Sequence, residues 1–262
     1  MKANTHDLMS STKDQIIDCC SRIISENPTR YRNKDFSERG VGTLLRIAEA
    51  LKGNEPIKKR PGSLSRAVSD KNTSETAYQR ALYDLGGVTV AGWTKRRDVT
   101  WLDMELPVTA ISGKARCRSV DLVGKLDGRP ILWELKFGRK SCAVHRVDYA
   151  IFEALLYLAI VKKNAPELNA AHIFHPGETP FDWAEVAYSD RVAVLANKTF
   201  FYAAVTQDEY YVPRLRDRIR ERCGVDVLLF QTEDYELGRS KDRPTVPCFV
   251  DVKAVTIAPV FA

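Results

Sequence analysis

The dipeptide Asp127-Gly128, set between two short apolar runs, constrains the fold of this chain more than any other segment. The runs cover residues 119–124 and 130–136, and Asp-Gly is a strong signal for a two-residue β-hairpin turn. With these two residues in the turn, Asp121 falls directly opposite Glu134. Directly opposed residues project from the same face of a sheet, so the sequence predicts two carboxylates side by side.

Lys136 lies two residues beyond Glu134 and therefore shares its face of the strand. Charges in such an apolar run are costly to bury unless they are paired or bind an ion. A Glu134–Lys136 ion pair on an ordinary hairpin is one explanation that the sequence leaves open. Two opposed carboxylates repel each other, however, and a divalent cation would relieve that repulsion.

The predicted ligands suit Mg²⁺, which prefers oxygen atoms and which we expect Mn²⁺ to replace. Asp121, Glu134 and the Leu135 carbonyl can supply one face of its coordination shell. Such a metal polarises a phosphate and lowers the pKa of a water molecule. Lys136 can orient that water and offset negative charge in the transition state. We therefore predict Asp121, Glu134 and Lys136 as catalytic residues.

The surrounding sequence predicts an α/β fold. Hydrophobic periodicity indicates the order helix, three strands, helix and strand at residues 74–85, 102–108, 119–124, 130–136, 144–163 and 171–174. Weaker patterns indicate a strand, a helix and a strand at 192–195, 212–223 and 225–230. We divide the chain into a helical N-terminal region, a basic linker, a core and a C-terminal α/β extension of the core, at residues 1–52, 53–73, 74–178 and 179–262.

On these residues and this element order, the chain resembles the PD-(D/E)XK nuclease superfamily. Its signature is an Asp on one strand and Asp/Glu-x-Lys on the next, here Asp121 and Glu134-Leu135-Lys136, and residues 74–176 resemble its αβββαβ core. The resemblance implies a restriction-endonuclease-like core, with a mixed sheet flanked by helices, and Mg²⁺-dependent hydrolysis of nucleic-acid phosphodiester bonds. It favours DNA over RNA as the substrate, and restriction, phage defence or DNA repair as the setting.

The RecB/Cas4-type branch of the superfamily looks nearest, although the chain departs from it. That branch often carries Gln-xxx-Tyr on the helix after the lysine, where this chain has Glu153 and Tyr157. Its cysteine cluster is missing, so we expect no iron–sulfur cluster. Many members place a further acidic metal ligand on the helix before the first strand, where this chain has Glu75. These three residues are further catalytic candidates, although an acidic residue stabilises any helix N-terminus.

Basic residues near the hairpin are candidates for contacts with phosphates: Lys114, Arg116, Arg118, Arg139, Lys140 and Arg146. Strand alternation places the first three on one face that leads to Asp121, and Arg146 shares a helix face with Glu153. The net charge of +6 is mild. Taken alone, it favours a nucleic-acid partner only slightly over an ordinary basic enzyme.

Two alternatives to a nuclease remain open from the sequence. The first is a catalytically inactive protein of the same fold that binds nucleic acid or a protein partner. The second is an ordinary α/β protein whose hairpin carries a surface ion pair. Asp103 and Glu105 form a competing acidic pair, which we expect to be solvated.

Composition favours a cytoplasmic protein. The N-terminus is polar and has no signal-peptide pattern, and the longest apolar stretch, at residues 149–161, is too short to cross a membrane. The six cysteines include no Cys-x-x-Cys pair, which gives little support to a structural zinc site.

We also expect the protein to act as a homodimer or as a subunit of a larger system, because a cut in both DNA strands usually needs two copies of a single-site nuclease.

Overall fold

A computed structural model describes residues 11–32, 36, 40–50, 74–92, 97–108, 119–138, 145–172, 174, 178–239, 241–242 and 246–261. The helices are α1 Lys13–Glu26, α2 Val41–Ala50, α3 Glu75–Asp84, α4 His145–Ala171, α5 Trp183–Tyr188, α6 Lys198–Gln207 and α7 Tyr211–Cys223. The strands are β1 Gly87–Val90, β2 Arg97–Pro107, β3 Ser119–Leu126, β4 Arg129–Lys136, β5 Arg191–Asn197, β6 Asp226–Thr232, β7 Leu237–Arg239, β8 Pro247–Phe249 and β9 Thr256–Pro259. The predicted basic linker, residues 53–73, lies outside the described residues.

Seven strands form one mixed sheet that closes on itself in the order β1-β2-β3-β4-β5-β6-β9. Strands β1 to β4 pair antiparallel, whereas β4, β5 and β6 pair parallel. Strand β9 closes the sheet because it pairs antiparallel with β6 and parallel with β1. The prediction of an α/β fold with helices and a mixed sheet is confirmed at that level. The closure of the sheet was not predicted.

The β3–β4 hairpin has the predicted turn and register. Asp127 and Gly128 have φ values of 54° and 79°, and positive φ at both central residues is the requirement of a type I′ turn. The ladder runs from the Leu126–Arg129 pair to the Leu122–Trp133 pair. The register that the sequence predicted for the hairpin is therefore confirmed over these pairs.

Helices α4 and α5 lie between β4 and β5 in the chain, and the two strands pair in parallel. Helix α4 has 27 residues and extends past Pro166 to Ala171, so the predicted helix end at residue 163 is wrong. The predicted strand at 171–174 is also wrong, because Ala171 still belongs to the helix, residues 172 and 174 are not in a strand, and the next strand among the described residues is β5. Proline disfavours a helix interior, but buried residues on both sides of Pro166, Ala165 and Leu168, hold this turn in the core.

Two apolar cores lie on the two faces of the sheet. The inner core fills the closed sheet and includes Trp101, Trp133 and Phe230. Residues of α3, such as Tyr78 and Leu82, also belong to the inner core. The outer core lies between the sheet and the other helices, and it joins residues of α1 and α2 to residues of α4. The N-terminal helices therefore pack on the helix that follows β4.

None of the described helices has the length and apolarity that a membrane crossing needs.

A buried ion pair ties the segment after α1 to the start of α4. Arg30 Nε donates to Asp148 Oδ2 at 2.5 Å, and Arg30 Nη1 donates to Asp208 Oδ2 at 2.7 Å. Asp148 is fully buried, so its charge depends on this guanidinium. The contact fixes the first turn of α4, and α4 is the helix that carries side chains of the candidate site.

Gly124 of β3 allows two tryptophans to meet inside the sheet. A Cβ atom at this position would lie 2.7 Å from the Trp101 ring and 2.9 Å from Trp133 Nε1. The two rings are 5.2 Å apart in an edge-to-face arrangement. We expect Gly124→Ala to lower the free energy of unfolding by about 2 kcal/mol, because overpacking displaces both rings. Urea denaturation measures this loss.

Lys125→Ala is the matched control, since Lys125 is the next residue of the same strand and is exposed. Its effect should stay within about 0.5 kcal/mol. Equal stabilities of the two variants would show that the tryptophans do not approach Gly124 this closely.

Candidate active site

Strands β3 and β4 part at Asp121. Their ladder ends at the Leu122–Trp133 pair, although β3 continues beside β2 and β4 continues beside β5. Beyond that pair, a side chain accepts from β4: the Asp121 Oδ2 atom accepts a hydrogen bond from the Leu135 N–H at 2.8 Å. The carboxylate is thus placed between the two strands. Leu135 contributes its N–H to this contact, and its carbonyl as a metal ligand stays a prediction.

Lys136 is the centre of a buried charge cluster. Its ammonium donates to Glu134 Oε1, and it lies 3.0 Å from Glu153 Oε2 and 3.9 Å from Glu75 Oε1. Glu134, Lys136 and Glu153 are each at most 7% exposed. The structure therefore brings together three elements that are distant in sequence: the end of β4, the middle of α4 and the start of α3.

Helix α4 contributes a residue that the sequence analysis did not select. Tyr149 lies one turn before Glu153 and donates its hydroxyl to Glu153 Oε1 at 3.3 Å. Its ring centre lies 5.7 Å from the Lys136 ammonium. Tyr157, which was selected, is buried in the outer core, and its role in the site stays a prediction. The four-residue spacing of Tyr149 and Glu153 was the available signal.

Helix α3 contributes two side chains, one of which was also missed. Glu75 opens the helix, and its Oε2 atom accepts a hydrogen bond from the Phe137 N–H at 3.3 Å. Gln79, one turn later, donates Nε2 to the Asp121 carbonyl at 2.5 Å. Gln79 is 4% exposed, and it shares the Glu75 face because the two are four residues apart. Helix α3 therefore holds the main chain of Asp121 through the Gln79 side chain.

The cluster has more negative than positive charge. Burial and the nearby Glu75 charge together raise the pKa of Asp121 to about 7, although Lys136 acts to lower it. Burial and the Asp121 charge also raise the pKa of Glu134. Burial acts to lower the pKa of Lys136, but the surrounding carboxylates, Glu134 first, raise it well above its usual value. Lys136 is therefore a cation at neutral pH.

One carboxylate oxygen of the cluster is available for a further cation. Glu134 Oε2 is buried and has no hydrogen-bond partner within the described part of the chain. An unpaired carboxylate oxygen in such a place is unfavourable. The carboxylates of Asp121, Glu75 and Glu153 near this oxygen are oxygen donors too, and oxygen is the ligand type that a hard divalent cation prefers.

Most of the predicted phosphate contacts cannot be placed. Lys114, Arg116, Arg118, Arg139 and Lys140 lie outside the described residues. Arg146, in the first turn of α4, is half-buried, and its guanidinium lies 5.9 Å from the Tyr149 ring centre. Arg146 is therefore next to a residue that contacts Glu153.

A second acidic group lies elsewhere and includes Asp103, His172 and Glu178. Asp103 is 2% exposed, so the expectation that it is solvated is wrong. His172 Nδ1 accepts from the Trp183 indole N–H at 2.9 Å, and Nε2 lies 3.1 Å from Asp103 Oδ2. A neutral ring with these partners carries its proton on Nε2 and has no lone pair left for a metal. The geometry therefore favours a structural role for this group.

In comparisons with known proteins, no family model matches the chain, and neither the curated proteins nor the solved structures include a match. The chemistry of the protein must therefore be inferred from the side chains of the site. Of the six predicted catalytic residues, the ion pairs of Lys136 bring together Glu134, Glu153 and Glu75. Asp121 lies near enough to interact electrostatically with Lys136 and Glu75.

The raised pKa of Asp121 predicts a stabilising substitution. A carboxyl whose pKa is raised to about 7 in the folded protein binds its proton more tightly there than in the unfolded chain. The stability that this adds is present at low pH and is lost as the pH rises through about 7. Asp121→Asn removes that loss and keeps an oxygen for the Leu135 N–H. In EDTA, we expect the stability gain of the variant over the native protein to grow by about 2 kcal/mol between pH 5 and pH 8. Thermal unfolding across this range measures the gain.

Asp127→Asn is the control for this prediction. Asp127 is an exposed residue of the same hairpin, and asparagine tolerates its positive φ. This variant should show no comparable growth of stability with pH. A gain for Asp121→Asn that is the same at pH 5 and pH 8 would contradict an elevated pKa at Asp121.

Proposed function

We propose that this protein is a metal-dependent nuclease that hydrolyses phosphodiester bonds of DNA. The observation that carries the proposal is the Glu134–Lys136 ion pair at the end of β4, with the Asp121 carboxylate held beside it by the Leu135 N–H and interacting electrostatically with both charges. This is the residue set through which the sequence resembles the PD-(D/E)XK superfamily. Glu75 and Glu153 surround the same ammonium. The resemblance implies an acidic residue at the position of Glu75 and a glutamine at the position of Glu153.

The order of elements supports the proposal. Helix α3, strands β2, β3 and β4, helix α4 and strand β5 follow in this order in the chain, with the short strand β1 after α3 and the short helix α5 before β5. This agrees with an αβββαβ core once the final strand is taken as β5 rather than residues 171–174. Strands β2 to β6 are also neighbours in chain order within the sheet. The restriction-endonuclease-like assignment stays part of the proposal, because the sheet closes through β1 and β9.

We infer Mg²⁺ as the cofactor, with Mn²⁺ as a substitute. Asp121 and Glu134 would hold it, with Glu75 as a further acidic ligand, and the unpaired Oε2 atom of Glu134 supports this fit. When bound, such a cation polarises a phosphate and lowers the pKa of a water molecule. A cation would also offset the mutual repulsion of the carboxylates, which raises the pKa of Glu134.

The protein side chains have separate roles in this mechanism. Lys136, held protonated by its carboxylate neighbours, places a fixed positive charge beside the reacting phosphate and stabilises the negative charge that develops there. Glu153 keeps the ammonium in position at 3.0 Å, and Tyr149 in turn holds Glu153. The Leu135 N–H and Gln79 hold Asp121 by its side chain and its main chain.

The substrate and the biological setting are proposed from the resemblance. It favours DNA over RNA, and restriction, phage defence or repair as the process. The predicted phosphate contacts Lys114, Arg116, Arg118, Arg139, Lys140 and Arg146 would hold the backbone of the strand without reading its sequence. A homodimer or a larger assembly would supply a second active site for a cut in both strands.

Cleavage assays test the proposed activity. Purified protein should cleave at least one member of a panel of single-stranded, duplex and structured DNA with Mg²⁺ or Mn²⁺, and EDTA should abolish the reaction. Glu134→Gln and Lys136→Met should each lower the rate by at least about 100-fold, because each removes a charge that acts on the reacting phosphate. Lys125→Ala, on the exposed side of the same hairpin, should cleave at the native rate.

Two results would oppose the proposal. Folded protein that cleaves no DNA or RNA with any metal would exclude the enzyme. Cleavage that survives both substitutions would locate the chemistry elsewhere in the chain. An RNA-only activity would retain the mechanism and change the substrate.

Calorimetry with Mn²⁺ separates the nuclease from its alternatives. We expect a binding heat that Asp121→Asn and Glu134→Gln both reduce, since each variant loses a charged ligand. Asp127→Asn should bind Mn²⁺ as the native protein does. An ordinary hairpin would give no such heat, whereas an inactive protein of the same fold would bind nucleic acid without cleaving it.

A further inference from the structure

Asn197 makes an unusual use of its side chain at the end of β5. It occupies the N-cap position of α6, where an asparagine commonly caps its own helix, yet it makes no capping hydrogen bond. Its Oδ1 atom accepts from the Gly138 N–H at 2.8 Å, and its Nδ2 atom donates to the Gly138 carbonyl at 2.7 Å. One buried amide therefore satisfies both main-chain groups of Gly138.

Asp234 supplies the cap that Asn197 does not. Its carboxylate accepts from the Thr199 N–H at 3.0 Å and from the Thr199 hydroxyl at 2.8 Å. A negative charge at a helix N-terminus is also favourable. Asp234 Oδ1 accepts the other Nδ2 proton of Asn197 at 2.5 Å, which orients the amide toward Gly138. Because Asp234, two residues after β6, caps α6, the Asn197 side chain is available to Gly138, two residues after β4.

Gly138 lies directly after the candidate site. The β4–β5 ladder ends at the Lys136–Ala196 pair, so the two following residues lack this support. Phe137 is held on one side, because its N–H donates to Glu75. Gly138 is held on the other side by Asn197. Past Lys136, the main chain that follows β4 is therefore held by the side chains of Glu75 and Asn197 instead of by a neighbouring strand.

We propose that Asn197 is a positioning residue for the reaction: it fixes the end of β4 so that Lys136, Glu134 and Glu75 keep their relative positions. The inference rests on the proposed nuclease function. It predicts an effect on the chemical step from a side chain that does not touch the carboxylate cluster in any described contact. Catalytic geometry is sensitive to displacements of about 1 Å, and an unsupported strand end permits such displacements.

The variants Asn197→Ala and Asn197→Asp test the inference on the full-length protein. The first removes both contacts with Gly138. The second keeps the shape and the acceptor but loses the donor, and it places a negative charge beside Asp234. Thr199→Val is the matched control, since it alters the same cap without touching Gly138. We compare kcat and KM for DNA cleavage, Mn²⁺ affinity by calorimetry, and hydrogen exchange of the Gly138 amide.

We expect Asn197→Ala to lower kcat or Mn²⁺ affinity by about 10- to 100-fold, as residues that orient metal ligands typically do, while KM for DNA changes little. Exchange of the Gly138 amide should accelerate. Asn197→Asp should change in the same direction, and Thr199→Val should match the native protein. Circular dichroism confirms folding at the assay temperature.

The outcomes distinguish this inference from the proposed function. Native protein that lacks metal-dependent cleavage overturns both. Native protein that cleaves, with an Asn197→Ala variant of native kcat and Mn²⁺ affinity, overturns only the positioning role. Loss of folding in both Asn197 variants also overturns it, because the residue would then act on the whole fold rather than on the site.

Discussion

The packing of α4 on the sheet depends on one buried set of ion pairs, between the Lys136 ammonium and the carboxylates of Glu134 and Glu153. These charges lie in an interface that is otherwise apolar on both the strand and the helix. An unpaired charge there would be strongly unfavourable. Strand β4 and helix α4 can therefore pack only in a register that matches their charges. The same register places the Tyr149 ring near the ammonium.

The carboxylates around Lys136 lower the stability of the fold, which indicates that they are kept for function. Asp121 and Glu134 both have raised pKa values, so the protein keeps more carboxylates together than its lysine can neutralise. Groups far from the site offset this cost. Arg30, 118 residues before Asp148 in the chain, anchors the first turn of α4, and the inner core with Trp101 and Trp133 keeps β3 and β4 together up to Asp121. A rigid surrounding structure allows an electrostatically strained site.

Local signals predicted local structure well. The turn at Asp127-Gly128 and the apolar runs beside it specify the hairpin register, because a two-residue turn leaves no freedom in the pairing. Helix α3, between its Ser74 cap and the glycines that follow it, was predicted for a similar reason. The strand after α4 was placed wrongly, since the interior Pro166 suggests a helix end. Only the packing of the surrounding residues shows that the helix continues.

The sequence by itself determined that Glu134 and Lys136 share one face of β4 and that Asp121 follows the last pair of the hairpin, because strand alternation and a tight turn are properties of neighbouring residues. The Asp121–Glu134 pair that the sequence predicted is not formed, since the strands part there. Only the tertiary structure decided what surrounds them. The contacts of Gln79 with Asp121 and of Asn197 with Gly138 join residues 42 and 59 positions apart, and the burial of Asp103 depends on His172. Closure of the sheet by β9 also joins distant segments, because β9 pairs with both β1 and β6. No local pattern encodes such contacts, because they arise only when distant elements pack and each buried polar group must find a partner.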